Sequence, residues 1–145
     1  MFRIRPARPE DTASLFEVRT SVRENHQGVG ELAGLGITPE SVSAMIGAAP
    51  CCWVAVEDDR IAGFSMIDDN AGTLFAAFVR PECEGRGIGG ALVARAEAAL
   101  FQRHPVIWLE TGRGTRAAAV YRHLGWGSEI DLDGGNIRLF KTRPA

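Results

Sequence analysis

Residues 83–93 read CEGRGIGGALV, and the reading of their glycines decides the fold. Gly85, Gly87 and Gly90 fit the Gly-x-Gly-x-x-Gly spacing of a dinucleotide-binding turn, and Glu110 lies 20 residues past Gly90, where such units keep a ribose-binding acid. In that fold the first strand runs almost directly into the first glycine. Here Arg80 to Glu84, with Pro81 among them, separate Val79 from Gly85. Too little chain follows Glu110 for the rest of a dinucleotide domain, and no Gly-Lys-Ser/Thr follows the glycines to make a P-loop. What remains is the physics of the turn. Glycines let the backbone approach an anion closely, and the N–H groups of a helix starting near Gly87 would point at it with the positive end of the dipole behind them. Arg86 can add a charge-assisted contact. On glycine content alone, a diphosphate cradle and a plain flexible turn before a helix both fit.

The flanking segments argue for a mixed fold. Upstream, CCWVAVEDDRIAGFSMIDDNAGTLFAAFV (residues 51–79) holds three apolar runs separated by EDD and DDNAG, the turn chemistry of an antiparallel meander. Downstream, Ile88, Leu92, Ala96, Ala99 and Leu100 make one apolar helical stripe. VIWLE (106–110) reads as a strand, GTRAAAVYRHLGW (114–126) as a helix ended by Gly125, and GGNIRLFKT as part of one or two last strands. At the start, Phe2 and Ile4 alternate with arginines as a short strand, and Asp11 or Thr12 would cap a helix carrying Leu15, Phe16 and Val18. GVGELAGLG (28–36) reads as a loop, and Thr38-Pro39 as the cap and first turn of a short helix through Met45 and Ile46.

Composition narrows the classes of function. A chain of 145 residues with 46% hydrophobic and 23% charged residues fits one domain, 1–145, with a packed core. A net charge of -2, with 16 basic and 18 acidic residues scattered along the chain, speaks against nucleic acid. Apolar runs are far shorter than the ~20 residues of a membrane span, and MFRIRPARPEDTA carries charge where a signal peptide needs an apolar stretch. A cytoplasmic protein is expected. Cys51, Cys52 and Cys83 read as reduced thiols, and His26, His104 and His123 lack metal-ligand spacing, so no metal is expected.

The stretch VRPECEGRGIGGALV resembles the acyl-CoA-binding motif of the GNAT superfamily of N-acetyltransferases, where a strand, a V-x-P turn and a [QR]-x-x-G-x-[GA] loop open a helix. IWLETGRGTRAAAVYRHLGW resembles that family's next block, and IRPARPEDTASLFEVR its opening strand and helix. The resemblance implies a single α/β (α+β) domain with a central, mostly antiparallel mixed sheet flanked by about four helices. It implies acetyl-CoA as cosubstrate, bound by the backbone of Ala77, Phe78 and Val79 along the pantetheine arm and by Gly85, Arg86, Gly87, Ile88, Gly89 and Gly90 at the diphosphate. Two positions depart from the pattern. Glu84 stands where the family prefers Gln or Arg, and Gly114 where an asparagine is often found seven residues before Tyr121.

The implied chemistry is direct transfer of an acetyl group to a primary amine of a small molecule, an amino acid or a peptide terminus. Such transfer needs a deprotonated amine, a stabilised oxyanion and a proton for the leaving thiolate. Tyr121, the only tyrosine, matches the residue that protonates or hydrogen-bonds the departing sulfur. Glu110 matches a glutamate serving as base in members resembling ribosomal-protein alanine acetyltransferases, and equally fits a solvated strand-end residue. The acceptor docks near the first helices in this family, which brings in Arg23, Glu24, Asn25 and His26, although these also fit a solvated helix end. A rival chemistry would use a cysteine nucleophile, but none has a histidine beside it in sequence. The reading of a different class is a CoA-binding sensor that has lost catalysis. An exposed sheet edge would offer a route to a homodimer.

Overall fold

The computed structural model describes residues 1–23 and 26–145. Strand β1 (Arg3–Pro6) pairs antiparallel with β2 (Cys52–Glu57), β2 with β3 (Arg60–Asp68), and β3 with β4 (Thr73–Val79). The meander expected from the sequence is therefore present. Asp58 and Asp59 turn its first corner with φ of 52° and 60°, the left-handed pair that a two-residue hairpin requires. Beyond β4 come β5 (Val106–Gly112), β6 (Gly127–Asp131) and β7 (Asn136–Thr142), giving one sheet in the order β1-β2-β3-β4-β5-β7-β6. Among the described residues only the β4–β5 contact is parallel, so the sheet is mixed and mostly antiparallel.

Among the described residues five α-helices flank it, one more than the sequence suggests. α1 (Thr12–Ser21) and α3 (Pro39–Ala48) pack on one face, where Leu15, Val18, Val42 and Ile46 meet Val54, Phe64 and Met66. α4 (Ile88–Leu100) and α5 (Arg116–His123) cover the other, where Ile88, Leu92, Ala96, Leu100 and Ala118 meet Ile107, Leu109, Ile137 and Leu139. The extra helix is α2 (Val29–Gly34), within the segment expected to be a loop. Each interior glycine costs a helix about 1 kcal/mol relative to alanine, which hides it from sequence. Burial of Leu32 to 2% exposure and the Glu31 carboxylate accepting from the Gly28 N–H at 3.2 Å offset that cost.

Caps and buried charges set the remaining geometry. Thr38 caps α3 as expected, its hydroxyl oxygen accepting from Ser41 N–H at 3.1 Å. Asp11 precedes α1 without capping it. Its carboxylate instead accepts from Arg5 at 2.8 and 3.1 Å and from the Arg8 N–H at 2.8 Å, and the Arg5 bond holds its pKa below the ordinary carboxylate value. Cys52 and Cys83 are buried thiols, and burial pushes Cys52 up to about 12. No helix among the described residues is long and apolar enough to cross a membrane.

Candidate active site

The centre of the sheet is parted. β4 and β5 share a single register point, Thr73 with Trp108. That junction is clamped: the Thr73 hydroxyl donates to the Trp108 carbonyl oxygen at 2.8 Å, Trp108 N–H donates to Gly72 O at 3.2 Å, and the indole N–H donates to Ala71 O at 2.9 Å. Past it, β4 runs on to Val79 and β5 to Gly112 with no ladder between them. Arg80 N–H donates to Ala62 O at 2.8 Å, so Arg80 and, by strand alternation, Phe78 turn their peptide groups toward β3. Ala77 and Val79 therefore turn theirs into the gap. Trp108 faces β4 by its own hydrogen bonds, which puts the peptide groups of Glu110 and Gly112 on the gap's opposite wall.

The end of β4 is held firmly. Arg80 is 7% exposed; its Nε donates to Ile61 O at 2.8 Å and its Nη2 to Glu17 Oε2 at 3.1 Å, tying the turn before Pro81 to β3 and α1. The glycine loop follows. Gly85 and Gly87 take φ of 79° and 85°, the left-handed values that β-carbon-bearing residues rarely adopt. Gly87 precedes α4 with no side chain capping the helix, unlike the threonine caps of α3 and α5. A β-carbon at Gly87 or Gly90 would meet nothing within 4 Å, and one at Gly89 only Val79 Cγ2 at 3.7 Å. The loop and first turn thus leave open space beside the uncapped first-turn N–H groups of α4, which fits a diphosphate. Ile88 is 1% exposed, so only its backbone can face an anion. Arg86 pairs with Glu57 on β2 at 2.7 Å. The departure at Glu84 has a partner that sequence did not reveal: its carboxylate is ion-paired with Arg116 in the first turn of α5.

Glu110 and Tyr121 lie on opposite faces of the parted strands. Ile107 and Leu109 face α4 and α5, so Trp108 and Glu110 face the side of α1 and α3. The Glu110 Oε2 accepts from Nε of Arg138, its cross-strand neighbour on β7, at 3.0 Å and also from Nη2, while the Arg138 guanidinium lies 4.2 Å over the Trp108 ring. Oε1 accepts no hydrogen bond from a described residue. Tyr121 packs against the α4–α5 core with its ring edge-on to Trp126, centroids 6.1 Å apart. Its hydroxyl has no hydrogen-bond partner among the described residues, and burial pushes the phenol up to about 12.

On the Glu110 face, a cavity of about 230 Å³ lies between α1, α2, α3 and the strands β3 and β4. Its walls include Leu15, Leu32, Phe64, Met66, Phe75 and Phe78, with Arg19 and Gln27 as its polar groups. It is not legible in the sequence, where Leu32 falls in an expected loop and the others in the apolar runs and stripes of separate elements. Of the proposed acceptor residues, Arg23 follows α1, His26 Nε2 donates to Thr20 O at 3.0 Å, and Glu24 and Asn25 lie outside the described residues.

Comparison with known proteins places this arrangement. Residues 37–126 match the model of the acetyltransferase (GNAT) family. Among solved structures, the PaiA N-acetyltransferase from Thermoplasma acidophilum in complex with coenzyme A superposes with a TM-score of 0.80 at 20% identity, over 99% of each chain. Ard1 from Thermoplasma volcanium does so at 0.72 and 15% identity, over 99% of each chain. A ribosomal-protein-alanine N-acetyltransferase from Brucella melitensis reaches 0.70 at 18% identity, over 97% of this chain and 99% of that one. Among curated protein sequences none matches.

Proposed function

The chain belongs to the GNAT acetyltransferase family, and from that premise we propose that it transfers the acetyl group of acetyl-CoA directly to a primary amine of a small molecule, amino acid or peptide terminus. The observation that carries the reading is the parted β4–β5 pair with the uncapped start of α4 beside it. Backbone N–H groups of Gly85 to Gly90 would hold the diphosphate. The Ala77 and Val79 peptide groups, turned into the gap, would pair with the pantetheine arm and stabilise negative charge developing on the thioester oxygen. Glu84, neutralised by Arg116, does not oppose this with a bare charge.

Their opposite faces support separate roles for Glu110 and Tyr121. The acceptor would approach from the α1–α3 side, where Glu110 offers Oε1 to its ammonium. A primary amine is mostly protonated at neutral pH, with a reference pKa of ~8 to ~10.4, so Glu110 takes one proton and passes it to solvent before the N–C bond forms and the C–S bond breaks. Loss of the second nitrogen proton completes the amide, and the thiol takes up one, so that one proton is released overall. Tyr121, with a phenol pKa of about 12, stays neutral at any working pH and donates a hydrogen bond to the departing sulfur. A thiol titrates near ~8.5, so the thiolate is stabilised without taking the phenol's proton.

Thiol release from acetyl-CoA against a panel of amines, with the product identified by mass, tests the reading, alongside calorimetry with acetyl-CoA alone. Binding with turnover is expected. Binding without turnover on any amine would favour the CoA-binding sensor, and no binding would remove both.

A further inference from the structure

The apolar cavity on the α1–α3 face carries an inference about the acyl donor, one that rests on the proposed transfer reaction. The two ends of the gap set the donor's path. Its diphosphate would sit at the glycine loop, beyond the end of β4, so the pantetheine arm runs back past Val79 and then Ala77, with the acyl group innermost. Ahead of that group stands the clamp of Thr73 and Trp108, where the strands rejoin. A chain longer than acetyl is stopped there and must leave the gap onto one face of the sheet. Toward α4 and α5 that face is filled, with Leu74, Ile107, Leu109 and Ala118 each at most 4% exposed. Toward α1 and α3 lies the cavity of about 230 Å³. Phe75 lines it and is 51% exposed, so the cavity reaches the surface at β4. Counted along the parallel strands from Thr73 opposite Trp108, Phe75 is level with Glu110 and Ala77 with Gly112. Two residues of strand, about 6.6 Å, separate Phe75 from Ala77, a distance that a few methylenes cover.

Size and chemistry agree with such an occupant. A cavity of roughly 150 Å³ walled by leucine, isoleucine and phenylalanine stays dry and binds benzene, so this larger one holds a body of about six carbons. Its walls are hydrocarbon and aromatic, and its polar side chains are already engaged: Arg19 donates to Gln27 Oε1 at 2.8 Å and lies 4.3 Å over the Phe78 ring. A charged or hydroxylated chain would be desolvated there without compensation. Among the described residues its walls include Phe75, Ala76 and Phe78 of β4 but none from β5, the strand that carries Glu110. The cavity therefore goes with the β4 side of the gap, where the thioester would pair, and not with the amine. We propose that the protein accepts acyl-CoA donors with an uncharged chain of about six carbons and prefers them to acetyl-CoA, the chain lying in this cavity. The reaction keeps its form with hexanoyl-CoA. The amine nitrogen bonds the carbonyl carbon, the C–S bond breaks, and the departing CoA thiolate takes up one of the two protons that the ammonium gives up.

Calorimetry of acetyl-CoA and hexanoyl-CoA into the protein needs no acceptor. Burial of each methylene is worth about fourfold in affinity, so hexanoyl-CoA should bind about tenfold tighter or more. Steady-state thiol release with one amine should show the same preference in kcat/KM, and butyryl-CoA should exceed succinyl-CoA, which adds a carboxylate to a chain of the same length. Val42→Phe, on the α3 wall, fills the cavity and should bring the hexanoyl-to-acetyl ratio near one. The ratio cancels any loss common to both donors. Ile37→Phe, at a partly exposed wall position, repeats the test if Val42→Phe fails to fold. Hexanoyl-CoA binding no tighter than acetyl-CoA, succinyl-CoA preferred to butyryl-CoA, or a ratio unmoved by filling the cavity would overturn the proposal while leaving acetyl transfer intact. A filled cavity that raises KM for bulky apolar amines and leaves the donor preference unchanged would give the cavity to the acceptor and overturn it too. Binding of neither donor would remove the transfer reading itself and this proposal with it.

Discussion

Gly63, on β3, tests whether the placement of β4 governs the chemistry. A β-carbon there would lie 2.7 Å from the Phe78 carbonyl oxygen and 3.1 Å from both Leu92 Cδ1 and Val79 Cγ2. The two side chains can give by a few tenths of an ångström. The carbonyl belongs to the backbone of β4, which Arg80 ties to β3 and α1 at its end. Carbon and oxygen approach no closer than about 3.3 Å in ordinary contacts, so Gly63→Ala must push the strands apart by about 0.6 Å. Overpacking of this kind costs about 1–3 kcal/mol, which at about 3 °C per kcal/mol lowers Tm by about 3–9 °C. A displacement of about 1 Å at reacting groups costs about 100-fold in rate, so a shift of this size at Ala77 and Val79 should lower kcat by on the order of tenfold. Thermal unfolding, and thiol release at saturating acetyl-CoA well below the variant's Tm, read the two effects. Gly47→Ala is the control: in α3 its β-carbon meets only Pro9 Cγ at 3.8 Å, so stability should rise by about 0.5–1 kcal/mol with no change in rate. A Gly63→Ala protein with the parent Tm and kcat would refute the claim that β4 is rigidly placed by β3.

Other perturbations separate the remaining parts. Gly89→Ala, whose β-carbon meets only ordinary contact, should leave Tm close to the parent while weakening acetyl-CoA binding in calorimetry; equal affinity would move the diphosphate elsewhere. Tyr121→Phe should lower kcat more than it weakens acetyl-CoA binding, and neither protein should show a limb from phenol ionisation below about pH 10, since the group titrates at about 12; the reverse pattern would make Tyr121 a packing residue. Glu110→Gln should slow transfer chiefly at neutral and lower pH, and an unchanged pH–rate profile would remove it as base. Asp11→Asn should cost about 1–3 kcal/mol in urea unfolding at pH 7. Because Arg5 lowers the folded-state pKa of Asp11, this contribution is complete above the unfolded value of ~3.9 and fades as the pH falls through the folded one. Variant and parent should therefore converge in acid, and a constant difference down to pH 2 would deny the pairing.

Much of the fold was legible because its signals are local. The EDD and DDNAG corners, the Thr38-Pro39 cap and the stripe from Ile88 to Leu100 each report the conformation of the residues that carry them. The glycine loop was legible in the same way, since Gly85 and Gly87 stand where the backbone takes positive φ. The features that escaped depend on distant partners. α2 forms because Leu32 finds a core. Asp11 serves Arg5 and Arg8 rather than the helix after it. Glu84 looked like a stray charge beside a phosphate site until α5 brought Arg116 to it, 32 residues along. The cavity beside β4 is made by three helices meeting two strands, and no short motif encodes it. Glu110 and Tyr121 could be named from their blocks, yet their assignment to opposite faces needed the strand parity of β5 and the packing of α5.

The most direct test is an amide NMR titration of the 15N-labelled protein with acetyl-CoA. Saturable shifts are expected at Ala77, Val79 and Gly85 to Gly90 and at Glu110 across the gap, with the β1 edge of the sheet unmoved. Shifts confined to another surface, or none at millimolar acetyl-CoA, would contradict it.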